Sequence, residues 1–407
     1  MALDIGTETV KAAIFVIEEK HSASGETIGK RAVIKGISKI HARGGDGGLT
    51  DMDSTIRHSR EAIAVASLEA QLKPDQLLMG VAGEFVKGST STLTYTREEH
   101  EAKINLSELR NIVHKLEWRA FAEARKKLAE DTGYSEIDIK LINTAIVDVR
   151  IDGYKVTNPL GFQGKEVQMS IFNSFAPLAH HSALHNIADE IGIELLSIVS
   201  EPFALSRSME GEDGNLSAIF VDVGGSATDI AVVNNGCMVG SKMFAIGGRT
   251  FTKRLAVELN ISLAEAEKLK LSYAEDKLEQ KSRKIISDTI ENDMEVWIEG
   301  MQLALSEFRE IEVLPSRILL CGGGAHLPEI KNALNNEKWH KKLHFARAPQ
   351  AQFMRPSDIS AVIDETKKIK DQQDITLMAL VNAGIELSSE ESVMQKTLQK
   401  VIGIMKV

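Results

Sequence analysis

Residues 3–15 read LDIGTETVKAAIF, and residues 221–233 read VDVGGSATDIAVV. The two stretches align without a gap. Each runs apolar, Asp, apolar, Gly, a polar turn, then a second alternating strand. That pattern predicts a β-hairpin with an aspartate, Asp4 or Asp222, just before the turn. Small residues in such a turn let backbone N–H groups come close to an anion and point at it. An aspartate on the adjoining strand can hold a magnesium ion through water. One D-x-G hairpin is common in any fold. Two copies in matching strand contexts, half a chain apart, predict a pair of loops gripping a polyphosphate from both sides.

Working outward, the order of elements reads α/β. Strands are expected at 2–5, 12–17 and 31–40, then a loop at RGGDGG (43–48). Asp51 or Asp53 caps a helix from about 54 to 71, and LLMGVAG (77–83) is a short buried strand. From about 84 to 165 the texture changes. A Ser/Thr-rich strand, a charged helix over about 107–130 and alternating segments at 138–151 and 165–175 suggest a compact α+β insert. A helix at 182–191 and the strand ELLSIVSEP follow, then strands at 217–222 and 229–233. Residues 262–311 read as almost entirely helical. CGGGAHLPEI (321–330) puts three glycines at an expected strand-to-helix junction, leaving no side chain between backbone and a flat ligand.

Composition bounds the function. The chain has 407 residues, 43% apolar, with a formal charge of −10. That is ordinary for a folded protein of two or more domains, and too acidic for a general nucleic-acid binder. Two cysteines make no disulfide framework and suggest a reducing compartment. No apolar run reaches the length of a spanning helix, and Asp4 stands where a leader's basic region would be. The expectation is a cytoplasmic protein that touches a membrane only peripherally. No G-x-x-x-x-G-K-[ST] loop is present, which argues against a Walker-type ATPase.

Two phosphate-type hairpins followed by GGGA, with SEPFALS (200–206) between them, resemble the actin-like ATPase superfamily. Within it, VAGEF, the charged helix, TAIVDVRIDG and NPLGFQGKEVQMSI resemble the FtsA family of bacterial cell-division proteins, as does RGGDGGLTDMDSTIRHSREAI. The resemblance implies an actin-like, ribonuclease H-like duplicated fold, with two halves around a nucleotide cleft. Subdomain 1A would comprise 1–78 and 166–199, with 360–387 packing back on it. An FtsA-type (SHS2-like) subdomain 1C insert would span 79–165. Subdomain 2A would comprise 200–248 and 316–359, subdomain 2B 249–315, and a C-terminal amphipathic helix 388–407.

Roles follow by position. Asp4 and Asp222 would be paired carboxylates around Mg2+ and its waters. Gly6, Thr7, Glu8, Thr9 and Lys11 would form the first phosphate loop, and Gly224, Gly225, Ser226 and Thr228 the second. Lys11 sits two residues later than the usual FtsA lysine. Glu201 resembles the acid that orients the attacking water. Gly247 and Gly248 would start a helix near ATP, and Gly322, Gly323, Gly324 and Ala325 would back the adenosine. Glu267 and Lys270 fit an E-x-x-K pair facing ribose and base, although AEAEKLK also fits a solvated face. His180, His181 and His185 lack accompanying metal ligands and read as a polar helix face.

In the tail, Val393, Met394, Leu398, Val401, Ile402 and Met405 share one helical face, with Lys396, Lys400 and Lys406 as its basic residues. The resemblance implies an ATP-binding protein, at most a slow ATPase, that polymerises at the inner face of the cytoplasmic membrane. It would bind the C-terminal tail of FtsZ through 249–315 and touch the membrane through 390–407, with no nucleic acid involved. The alternatives are a PilM-like pilus or secretion module, which the loop GTETVK favours, and a small-molecule kinase of the same fold.

Overall fold

The computed structural model describes residues 1–21, 27–41, 51–82, 86–132, 138–209, 215–336 and 338–388. The expected loop at 43–48 and the amphipathic tail at 390–407 lie outside them. The chain opens with β1 (Ala2–Ile5), β2 (Thr9–His21), β3 (Thr27–His41), α1 (Met52–Ala70) and β4 (Gln76–Val81). The inserted unit follows as β5 (Lys87–Thr96), α2 (Leu106–Thr132), β6 (Ile139–Ile151), β7 (Tyr154–Lys155) and β8 (Glu166–Pro177). Next come α3 (Leu178–Ile191), β9 (Glu194–Ser200) and α4 (Glu201–Arg207). The second half holds β10 (Ala218–Val223), β11 (Thr228–Asn234), β12 (Cys237–Phe244), α5 (Gly248–Glu258), α6 (Leu263–Ala274) and α7 (Gln280–Ser306). It closes with β13 (Arg317–Cys321), α8 (Pro328–Leu334) and β14 (Gln350–Phe353), before β15 (Val362–Asp364) and α9 (Ile375–Ser388) return to the first half.

The described strands form two sheets, ordered β15-β3-β2-β1-β4-β9 and β14-β13-β10-β11-β12-β5-β8-β6-β7. Between them lies a layer made by α4 and α9. Every residue of α9 from Ile375 to Ile385 is buried, as expected of a helix that is apolar on all sides. One apolar cluster joins it to Ala2, Ile34 and Leu78 of the first sheet and to Phe220, Ala231 and Leu319 of the second. The outer face of the first sheet packs on α1 and α3 through Leu3, Ile5, Ala62 and Leu184. The outer face of the second packs on α5, α6, α7 and α8 through Val221, Phe251, Ala266, Trp297 and Ile330.

Strand alternation then fixes the direction of the two aspartates. Side chains two apart share a face. Ala2 faces the middle layer and Leu3 and Ile5 face outward, so Asp4 points to the middle. Ala218 and Phe220 face the middle while Ile219, Val221 and Val223 face outward, so Asp222 points to the middle as well. The two hairpins are equivalent down to the turn: Gly6 N–H donates to Thr9 O at 3.1 Å, and Gly224 N–H to Ala227 O at 2.9 Å.

The insert has a core of its own, in which Leu109, Ile112, Val113 and Leu116 of α2 lie on Val167, Met169 and Ile171 of β8. Strand β8 pairs with β5 from Glu166 to Phe175 and with β6 from Val167 to Pro177. Residues 166–177 therefore run in the insert's sheet rather than with the strands of the first half. The only registered pair joining this sheet to the second half, among the described residues, is Gly240 of β12 with Ser89 of β5.

Glu117 of α2 is buried against this sheet, where its carboxylate accepts from Thr144 Oγ1 at 3.1 Å and from Asn173 Nδ2 at 3.3 Å. Burial, partly opposed by those two donors, pushes its pKa up from 4.5 to about 7. A raised carboxyl pKa means that the unfolded chain gives up this proton more readily than the folded one. Stability is thus full below about pH 4.5 and falls as pH rises through about 7. Glu117→Gln should stabilise the fold by up to about 3 kcal/mol at pH 8 and by almost nothing at pH 4.5. Urea unfolding at the two pH values checks this, and an equal effect at both would contradict it.

Candidate functional site

The first cluster forms where the hairpins meet the middle layer. Asp4 is opposite Lys11 across its hairpin, and Lys11 Nζ sits 3.3 Å from Asp4 Oδ2. Lys11 also donates to Gln373 O at 2.7 Å. Burial by itself would lower the Lys11 pKa, but Asp4, Asp374 and Asp222 together hold it above its usual value. In the second hairpin the corresponding position is Asp229, which lies opposite Asp222. Asp222 therefore faces a like charge across its hairpin where Asp4 has a lysine. Burial raises its pKa, and the Thr376 hydroxyl, donating to Asp222 Oδ2 at 2.6 Å, opposes that rise.

Glu201 joins them from the first turn of α4. The sequence left open whether it merely ended a strand; β9 stops at Ser200 and Glu201 opens the helix, with Pro202 behind it. Gly80, the strand neighbour of Asp4, makes room for it. A Cβ built at Gly80 would lie 3.1 Å from Glu201 Oε1 and 2.4 Å from Leu380. Glu201 is buried, and its Oε1 has no hydrogen-bond partner. Burial first, then the charges of Asp4, Asp222 and Asp229, push its pKa well above the ordinary value, against the pull of Lys11. Several buried carboxylates thus share one lysine, and Oε1 of Glu201 and Oδ1 of Asp374 are buried without a hydrogen-bond partner. Among the described residues no three carboxylate, histidine or cysteine side chains come together as a direct metal site, so a cation here would have to be held through water.

The second cluster lies on the second half. Gly247 caps α5 and Gly248 begins it. Lys270 is buried; its Nζ donates to Gly248 O at 3.0 Å and to Thr252 Oγ1 at 2.7 Å, and lies 2.8 Å from Glu267. The charged stretch AEAEKLK thus turns this pair inward onto α5. A Cβ at Gly248 would lie 3.6 Å from the Cα of Gly324, so this pair and the GGGA turn are neighbours. The glycines of that turn differ in purpose. Gly322 has φ +87°, and a Cβ there would fall 2.1 Å from Asp222 Oδ1; Gly324 closes on Val223. Gly323 alone of the three faces open space. The turn leads first into a 3-10 turn, Gly324–His326, and only then into α8.

Thr228 needs a correction as a wall of the second loop. It is fully buried, donates to Ile246 O at 2.7 Å and accepts from Trp297 Nε1 at 2.9 Å, so its side chain anchors the loop from the core side. The Thr9 hydroxyl lies 3.4 Å from His41 Nδ1, away from the cluster. Thr7 and Glu8 meet Gly225 of the second loop, and Arg249 bonds Glu8. Sequence reading missed Thr376, Asp374 and Arg249. The first two stand at the start of DITLM, which reads simply as an apolar helix.

Comparisons with known proteins bear on the family resemblance and the fold. The sequence model of the family Cell division protein FtsA matches residues 219–371. Cell division protein FtsA of Bacillus subtilis (strain 168) is 23% identical over 359 residues, which cover 81% of this chain and 74% of that one. FtsA of Neisseria meningitidis serogroup B is 25% identical over 274 residues, covering 67% and 60%. The resemblance to FtsA holds. Among solved structures, the PilM-PilN type IV pilus biogenesis complex superposes with a TM-score of 0.64 over 94% of this chain and 97% of that one, at 15% identity. The fold of this FtsA-like chain is that of the actin-like ATPases. No helix among the described residues is long and apolar enough to cross a membrane.

The two neighbouring glycines offer a direct check. Gly322→Ala combines a left-handed backbone with a collision against Asp222 and should cost about 2 kcal/mol or more. Gly323→Ala, at φ −67° with free space, should leave stability within about 0.5 kcal/mol. Chemical denaturation of both variants measures the contrast, and similar losses would contradict it.

Proposed function

We propose that the cleft binds ATP with Mg2+. The observation that carries this reading is that two equivalent hairpins turn Asp4 and Asp222 to the middle layer, within electrostatic reach of the buried Glu201, whose Oε1 has no hydrogen-bond partner. Asp4 and Asp222 would hold the magnesium through its waters. The turns Gly6–Thr9 and Gly224–Ser226, with Lys11, would face the phosphates. Gly247, Gly248, Glu267, Lys270 and the turn Gly322–Ala325 would receive the nucleoside. Mg2+, when bound, would supply charge neutralisation of the phosphates. Burial and the neighbouring carboxylates favour the protonated form of Glu201, which disfavours it as a general base. A slow ATPase at most fits such a site.

In the cell the same reading makes this an actin-like division protein. It would polymerise at the inner face of the cytoplasmic membrane, tether the FtsZ ring through 249–315 and contact lipid through 390–407. Subdomain 1A would comprise β1 to β4, α3, β9 and the returning β15 and α9; the insert would be 1C, and the second half 2A and 2B. The likeness to FtsA relatives over most of the chain supports it. A PilM-like assembly role is the second reading, favoured by GTETVK, whose lysine reaches Asp4.

Asp222→Asn keeps an acceptor for Thr376 but removes the charge. It should weaken Mg-ATP binding tenfold or more with little change in melting temperature, as calorimetric titration would measure. Unchanged affinity would sink the nucleotide reading. Truncation after Leu387 should abolish co-sedimentation with anionic liposomes; equal pelleting of the full and shortened chains would favour the PilM-like role.

A further inference from the structure

The proposed nucleotide site contains a charge that its own twin lacks. The duplicated hairpins align Glu8 with Ser226, and both copies close the same turn. The turn therefore has no need of a carboxylate at this place. Glu8 instead stands where the two loops touch. A Cβ built at Gly225 would lie 2.5 Å from Glu8 Cγ and 2.7 Å from Thr7 Oγ1. Arg249, the second residue of α5, reaches over from the second half. Its Nε donates to Glu8 Oε1 at 2.5 Å, and its Nη2 lies 3.4 Å from Thr7 O. One ion pair thus bridges the two halves at the tips of the loops, with the Arg249 side chain 21% and the Glu8 side chain 43% exposed.

We propose that the Glu8–Arg249 pair is a specificity determinant, setting the preference of the cleft between a nucleoside triphosphate and a diphosphate. This rests on the nucleotide reading above. The nucleoside would lie on the floor made by the second half, and each added phosphate carries negative charge toward the first loop. A terminal phosphate between the loop tips meets Glu8, a like charge, and competes with it for Arg249. A diphosphate ends short of that contest. Glu8 therefore penalises the triphosphate selectively, and Arg249 favours it.

The test is the affinity of the full chain for Mg-ATP and Mg-ADP, measured by calorimetry on the parent, Glu8→Gln, Glu8→Ser and Arg249→Gln. Glu8→Ser reproduces the twin loop and guards against a single poorly folded variant, with circular dichroism as the check. Both Glu8 variants should shift the ATP-to-ADP affinity ratio toward ATP by about fivefold, and Arg249→Gln should shift it toward ADP by a similar factor. If both affinities move together, or the ratio stays within about twofold of the parent, the pair is only a mechanical clasp and the inference is overturned. If the folded parent binds neither nucleotide, the nucleotide reading itself falls, and the inference with it.

Discussion

Helix α9 is buried on all sides between two sheets, and most of the site depends on where it sits. Its apolar run touches strands of both halves, so it sets the spacing between β1 and β10, the strands that carry Asp4 and Asp222. The turn before it delivers Gln373 O to Lys11 and Asp374 to Lys39 at 2.6 Å, and its own first turn delivers Thr376 to Asp222. Thr376 is thus a polar contact made by an otherwise greasy helix. Here the packing element and the polar framework are one piece of chain, so a defect in one is a defect in the other.

The electrostatics follow from that burial. Charged groups held out of water must be paired or neutralised. Lys11 pairs directly with Asp4 and reaches Asp222 only through its field, and the cross-strand neighbour of Asp222 is Asp229 rather than a cation. Burial is the main reason the pKa values of both Asp222 and Glu201 are raised, with the neighbouring carboxylates adding to it. Proton uptake relieves that cost.

Much of this was legible from residue order. The hairpins were readable because strand alternation and turn chemistry are local, and because two copies share them. Asp51 as the cap of α1, the long helices and the compact insert were readable for the same reason. What failed to show was whatever long-range pairing decides. KEVQMSIFNSF reads as a strand, but its partners on both sides, β5 and β6, decide that it runs with the insert. Strand β12, in the stretch CMVGSKMF, carries no strong pattern and exists because β11 offers it an edge. The inward turn of Lys270 depends on α5 offering Gly248 O and Thr252, which no periodicity in AEAEKLK can reveal. Thr228 looked like a loop residue because Trp297, which claims its hydroxyl, lies far away in sequence.

The joint between β5 and β12 has a mechanical meaning. The insert is spliced into the first half, leaving from β4 and returning through α3 and β9, yet its sheet is sewn to the second half through Gly240 and Ser89. Thr90 Oγ1 adds a bond to Met238 O beside that stitch. Any change of angle between the halves would have to shear or drag this seam. Through it the insert would act as a pushrod, turning such a change into a displacement of its own outer edge.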